Sequence, residues 1–300
     1  MDAVNQTTNP LDRLVGELWK SLAADSVPRP DVLVNLATGL DLLPERLSDG
    51  REIRLGDHAE LPDDLASTRL FCGTLHAHPS ASDAAAGTST WVVSDNSLEP
   101  RVPGAAPAWH GLLPIWLASK AGAGFMLHAS AGHALARGDS KGLAPGGLAL
   151  LRDHVNFGAA SPLSGLGESE LGPLFPDTTH LHDTSIRELA LRMARERGLT
   201  AGEAIAACVP APHLDTPAEC AFYAKAGADL VVQGLAAPLI AAAHAGLRVL
   251  SVCAVLDGPE RELDVRAMLE QAELTAPALE ELLLAVCREL PASSLLEDGF

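Results

Sequence analysis

Two carboxylates bracket the stretch of this chain best suited to carry a site. Asp215 lies in a short polar loop at residues 212–216 that leads into a helix-like run at 217–226. Asp257 stands just past a buried apolar run at 247–255. Between them the pattern gives a short apolar strand at 229–232 and an Ala-rich helix at 236–245 that Gly246 closes. Strand–helix–strand with acidic residues at the loop edges is where open α/β sheets build their sites. Carboxylates so placed can orient a ligand or move a proton; an Asp before Gly258-Pro259 also serves as an ordinary turn or capping residue. Imidazoles are within reach in sequence. His213 adjoins Asp215, His128 follows the apolar 125–127 run, and His133 could partner it. Thr38 lies in the small-residue turn Ala37-Thr38-Gly39 after a first strand, a usual place for an anion contact. Gln233 ends an apolar strand, where it could bond a ligand or a backbone group. His128, His133, His180 and His182 match no standard zinc spacing, so no metal is expected.

These residues need a framework. Residues 11–24 have helical periodicity and 32–36 read as a buried strand. Residues 41–56 are polar and read as loop; 68–73 and 91–94 read as short strands, with an irregular connection at 76–90 between them. The Pro-rich 99–107 segment reads as a stiff loop, and 112–121 as a helix despite Pro114. Residues 124–128 and 147–154 are further strands, the first ending in the small-residue run 129–132. Residues 184–197 are the clearest amphipathic helix, capped by Asp183 or Thr184 and closed by Gly198. Residues 204–209 form the strand before the opening stretch, and 265–290 one or two helices broken near Pro277. Strands alternating with helices point to a single α/β domain around a mixed, mostly parallel sheet, with residues 1–30 as an N-terminal helical segment and 31–300 as the main domain.

Composition narrows the function classes. In 300 residues the formal net charge is -18, which argues against a nucleic-acid partner and against an anionic membrane surface. Gly, Pro, His and charged residues interrupt the apolar runs, and the N-terminus carries no basic region followed by an apolar run, so neither a membrane span nor a signal peptide is expected. Cys72, Cys208, Cys220, Cys253 and Cys287 are scattered through apolar runs without a Cys-x-x-Cys pair, the pattern of reduced thiols in a cytoplasmic protein.

One segment resembles a known family. Residues 147–156, Gly-Leu-Ala-Leu-Leu-Arg-Asp-His-Val-Asn, are similar to the Asp-His-Ile-Asn segment of the trimeric purine nucleoside phosphorylases. The order of parts matches too. The family's Asn-Ala-Ala-Gly-Gly segment falls on His128-Ala129-Ser130-Ala131-Gly132, its Gly-Pro-Ser-Phe-Glu-Thr segment on 211–216 followed by the shared Ala218-Glu219, and its Thr-Asn pair on Leu256-Asp257. The resemblance runs from about residue 32 to the C-terminus and is firmest from 147 to 257. It implies a phosphorylase-type single domain, a central mixed, partly barrel-like sheet surrounded by helices, assembled as a homotrimer. It implies phosphorolysis: phosphate attacks the anomeric carbon of a purine nucleoside and the purine leaves. No cofactor is implied beyond inorganic phosphate as co-substrate.

Residue by residue, Thr38 keeps the hydroxyl of the family's phosphate-binding Ser. His128 replaces an Asn beside Ala129, His213 a Ser, and Leu214 the aromatic that stacks on the base. Asp215 replaces the base-holding Glu with one methylene less. Gln233 takes the place of a Met under the sugar, and Gly234 that of a second phosphate Ser. Asp257 replaces the Asn that reads a 6-oxopurine; a carboxylate only accepts hydrogen bonds unless protonated and so favours a 6-amino purine, and the related methylthioadenosine phosphorylases place Asp in this region. The phosphate-clamping Arg and its neighbouring His find no counterpart at 95–99; Arg101, His76 and His78 are the nearest substitutes. The sugar-contacting His aligns with Val265. Three readings follow: a divergent phosphorylase, a silent homologue that binds a nucleoside-like ligand or serves as an assembly subunit, and a nucleoside hydrolase.

Overall fold

The computed structural model of the chain describes residues 9–37, 43–76, 87–94, 106–136, 143–158, 161–212, 214–258 and 264–290. In chain order its elements are α1 (Pro10–Ala24), β1 (Val32–Leu36), β2 (Ser48–Arg54), α2 (Asp63–Ala66), β3 (Arg69–His76), β4 (Gly87–Ser94), α3 (Leu113–Ala121), β5 (Phe125–Ala134), β6 (Leu148–Asn156), α4 (Thr184–Glu196), β7 (Ala201–Val209), α5 (Pro217–Lys225), β8 (Leu230–Gln233), α6 (Ala236–His244), β9 (Arg248–Asp257) and α7 (Val265–Glu289).

The apolar runs form strands because they are covered on both faces. All five residues of β1 are buried, as are the first six of β5. The sheet order is β2-β3-β4-β1-β5-β8-β7-β6-β9, and β9 pairs back onto β5. Five strands (β5, β8, β7, β6, β9) therefore close into a barrel, and β1 to β4 extend the sheet from its side. β5 is the hinge of this arrangement. Its N-terminal half runs parallel to β1 (Val32↔Phe125 to Leu36↔Ala129) and its C-terminal half pairs antiparallel with β8 (Gly132↔Val232), while β9 runs parallel along its other edge.

Helices cover the sheet in two packed layers. Leu11, Leu14, Val15, Leu18 and Leu22 of α1 recur at helical spacing and share one core with Trp116 of α3 and Leu239 of α6. Trp116 Nε1 donates to His244 Nδ1 at 2.9 Å, tying α3 to α6. A second core gathers Ile186 and Met193 of α4 with Leu282, Leu283 and Val286 of α7. Asp183 caps α4 by accepting the Ile186 N–H at 2.9 Å. Among the described residues no helix is long and apolar enough to cross a membrane.

Three expectations change. Residues 48–54 form an edge strand, not a loop; only Ile53 among them is buried, so no apolar alternation announces it. β5 runs on to Ala134, past the expected end near 128, because β8 and β9 supply partners for small residues that carry no strand signal of their own. α7 runs unbroken through Pro277. An interior proline costs a helix about 3 kcal/mol, but Leu279, Leu282, Leu283 and Val286 follow it into the core, and burying each stabilises by roughly 1.5–3 kcal/mol.

Candidate functional site

β5 and β9 run parallel and end on one rim of the barrel, antiparallel to β8 and β7, and the acidic residues converge there on His133 of β5. A register shift at the end of the β5–β9 pairing skips Leu256, so Gly132 pairs with Val255 and His133 with Asp257. That bulge brings the last side chain of β9 opposite an imidazole of β5. Asp257 is 4% exposed, and its Oδ1 accepts the Gly258 N–H at 2.8 Å, which fixes the carboxylate plane.

Asp215 arrives from the loop after β7. Thr216 caps α5 with a reciprocal pair: its N–H donates to the Glu219 carboxylate at 2.7 Å, and its Oγ1 accepts the Glu219 N–H at 3.3 Å. Pro217 opens the helix behind it. The residue before this cap is thereby held inward: the Asp215 side chain is fully buried, with Oδ2 3.8 Å from His133 Nε2. Tyr223 of α5 is close enough to the same carboxylate for its charge to act on the phenol. Cys220, also on α5, places Sγ 3.7 Å from His133 Nε2.

Electrostatics sorts these groups into roles. Burial pushes the His133 pKa below the usual imidazole value, and Asp215 and then Asp257 oppose that shift. His133 is therefore neutral at pH 7, carrying one N–H and one lone pair. Burial and the Asp215 charge raise the Cys220 thiol, so it stays protonated and is no thiolate nucleophile. Burial, then Asp215, likewise raises the Tyr223 phenol, which remains a hydrogen-bond donor.

Other sequence-derived candidates are placed elsewhere. His128 is buried on β5 five positions before His133, about 16 Å along the strand. Its Nδ1 accepts from Asn35 Nδ2 at 3.1 Å, an inter-strand contact beside the pairing of Asn35 with His128. Ala129 is fully buried in the second core, and its carbonyl accepts the Ala37 N–H. Leu214 is 42% exposed on the loop beside Asp215. Gln233 ends β8 in register with Val209 of β7, two positions past Val231, the β8 partner of His133. Gly234 follows with φ +70° and its N–H bonded to the Val209 carbonyl. The N-terminus of α6, which no side chain caps, comes two residues later, leaving amide N–H groups just past the end of β8. Thr38, His213, Arg101 and His78 lie outside the described residues. His76 ends β3, paired with Gly87 of β4.

His133 is the residue that sequence reasoning undervalued. Its position opposite Asp257 depends on a non-local register and a one-residue bulge, neither of which leaves a local mark. The cap that aims Asp215 did leave one: Thr216-Pro217-Ala218-Glu219 is a capping-box sequence. Gly132 matters for the same approach. A Cβ there would fall against the Val231 carbonyl oxygen of β8. Gly132→Ala is expected to destabilise the fold by about 1–3 kcal/mol in urea unfolding, by forcing β5 and β8 apart beside His133.

The comparisons with known proteins agree with this architecture. A family model described as the phosphorylase superfamily matches residues 88–288. The chain belongs to that superfamily. Among curated relatives, a purine nucleoside phosphorylase 1 of Bacillus subtilis is 32% identical over 119 residues, a match spanning 40% of this chain and 44% of that protein. A Cellulomonas purine nucleoside phosphorylase is 42% identical over 106 residues, or 35% of this chain and 34% of its own length. These high-identity matches thus cover less than half of each relative. The bovine purine nucleoside phosphorylase aligns over 91% of this chain and 94% of its own length at 24% identity. A Schistosoma mansoni purine nucleoside phosphorylase solved with adenosine superposes with a TM-score of 0.76 at 20% identity, over 95% of this chain and 99% of that one. At that identity the superposition speaks for the fold. The mixed, partly barrel-like α/β fold of this family is the fold of the chain.

Proposed function

We propose that the chain is a divergent purine nucleoside phosphorylase that cleaves the N-glycosidic bond of a 6-amino purine nucleoside with inorganic phosphate. The observation that carries this reading is the convergence of Asp215 and Asp257 on His133 at one barrel rim. In the reaction a phosphate oxygen bonds to the anomeric carbon as the C1′–N9 bond breaks. That bond's electron pair passes to the purine, which takes a proton at N7. Asp257 accepts from the 6-amino group, and the proton comes from solvent: His133 gives its N–H proton to N7 as its other ring nitrogen takes one from water. Asp215 holds the opposite edge of the base, since orienting the reactants supplies a large share of such rate enhancements. The amide N–H groups at the start of α6, with Thr38, take the phosphate. Homotrimeric assembly and a cytoplasmic setting belong to the same reading.

The test is purine release from adenosine-type nucleosides with and without phosphate. The expected result is release that requires phosphate and yields one sugar 1-phosphate per purine freed. Release that proceeds in phosphate-free buffer and yields free sugar replaces this reading with hydrolysis. No turnover, together with a saturable thermal shift from a nucleoside, replaces it with ligand binding by a silent homologue.

A further inference from the structure

A second cluster of ligating side chains lies where β6 meets the segment before α4. Asp153 and His154 are on β6, just beyond a register shift between Leu151 and Asp153; His182 is in the segment before α4. Such bulges re-aim side chains, and here one donor atom from each of the three residues lies within 4.8 Å of the others. His154 Nδ1 and His182 Nε2 face each other at 3.0 Å. Two imidazole nitrogens on one tetrahedral zinc ion stand about 3.3 Å apart, given bonds of about 2.0–2.1 Å. The imidazole pair is therefore within a few tenths of an ångström of ligand spacing before any ion is added, with a carboxylate oxygen within 4.8 Å of both nitrogens.

His182 is 8% exposed and its Nδ1 is buried without a partner, so Nε2 is the nitrogen that faces His154. The backbone around His182 is firmly held. It bridges to Val249 at the start of β9, and its carbonyl accepts from Arg187 Nη1 at 3.2 Å. The Arg187 charge is offset by Glu203, 2.6 Å away. Asp153 supplies an exposed carboxylate, one of whose oxygens accepts the His154 N–H.

We propose that Asp153, His154 and His182 form a binding site for a first-row divalent transition cation of zinc's class, clipping β6 to the entry of α4 with its fourth position open to water. Two imidazoles and one carboxylate suit zinc and its neighbours, whereas magnesium and calcium prefer all-oxygen sites. None of these three residues is among those assigned to the proposed reaction, and the site stands independently of it.

The experiment is calorimetric titration of the chelator-treated full chain with zinc chloride, alongside Asp153→Asn, His154→Gln and His182→Gln. The unaltered chain is expected to bind one zinc ion at this cluster, with a rise in thermal midpoint that grows with zinc concentration. Excess magnesium or calcium should leave that binding in place. His154→Gln and His182→Gln should abolish it, and Asp153→Asn, at an exposed position that folding tolerates, should weaken it at least tenfold. Cobalt(II) in place of zinc should give visible d–d bands that the His154→Gln chain lacks. Absence of saturable zinc binding by the unaltered chain overturns the proposal. So does undiminished binding in Asp153→Asn and His154→Gln.

Discussion

Asp257→Asn is expected to turn the base preference from 6-amino toward 6-oxo purine nucleosides, changing the ratio of kcat/KM values by about 100-fold or more. The substitution replaces a group that only accepts hydrogen bonds by one that also donates. Facing a 6-oxopurine, the Asp257 carboxylate would set its lone pairs against O6 and leave a buried charge unpaired by the ligand. Sites built around a specific hydrogen bond reject the mismatched analogue by large factors for this reason. The fold has little cause to notice the change. Asn is nearly isosteric, and its carbonyl can keep the Gly258 N–H bond that Asp257 Oδ1 makes at 2.8 Å. Measured kcat/KM for adenosine and inosine in the two chains checks this. An unchanged ratio in a chain that still turns over would remove Asp257 from base recognition.

The same two residues mark how far the sequence could be read. The strand at 32–36, the helices at 184–196 and 236–244 and the buried strands near Asp257 follow from apolar periodicity and from caps, because those signals are local. Barrel closure does not. It rests on β9 pairing with both β5 and β6, contacts between segments that are distant in the chain. The site inherits this limit. Asp215 was legible as an acidic loop residue before a helix, and its inward aim was written in the capping sequence after it. His133 was not legible as a bridge, since only the bulge past Gly132 sets it against Asp257. Asp153 and His154 lie in the segment that carries the family resemblance, and their closeness to His182 likewise depends on a shift in strand register.

Asp215→Asn is expected to lower kcat/KM by about 10³-fold, within the range attributed to a positioned acid–base group, and to alter the pH response through His133. Asp215 is the nearer of the two carboxylates that oppose the desolvation of His133. Without its charge the imidazole becomes harder to protonate, so any acid limb of the pH–rate profile that reports His133 should move to lower pH. Stability follows a linked course. The folded His133 already has a pKa below its unfolded value, so the unfolded chain takes up the proton first. Its contribution is intact above about pH 6.5, the ordinary imidazole value, and is lost as pH falls below that. In Asp215→Asn the gap widens, and the loss of stability on acidification should become steeper. Urea unfolding at pH 8 and pH 5 reads this directly, and pH–rate profiles of both chains read the shift in the acid limb. A purely structural Asp215 would lower stability equally at both pH values and leave the acid limb where it was. The joint displacement of rate, acid limb and acid stability is what a carboxylate acting on His133 requires.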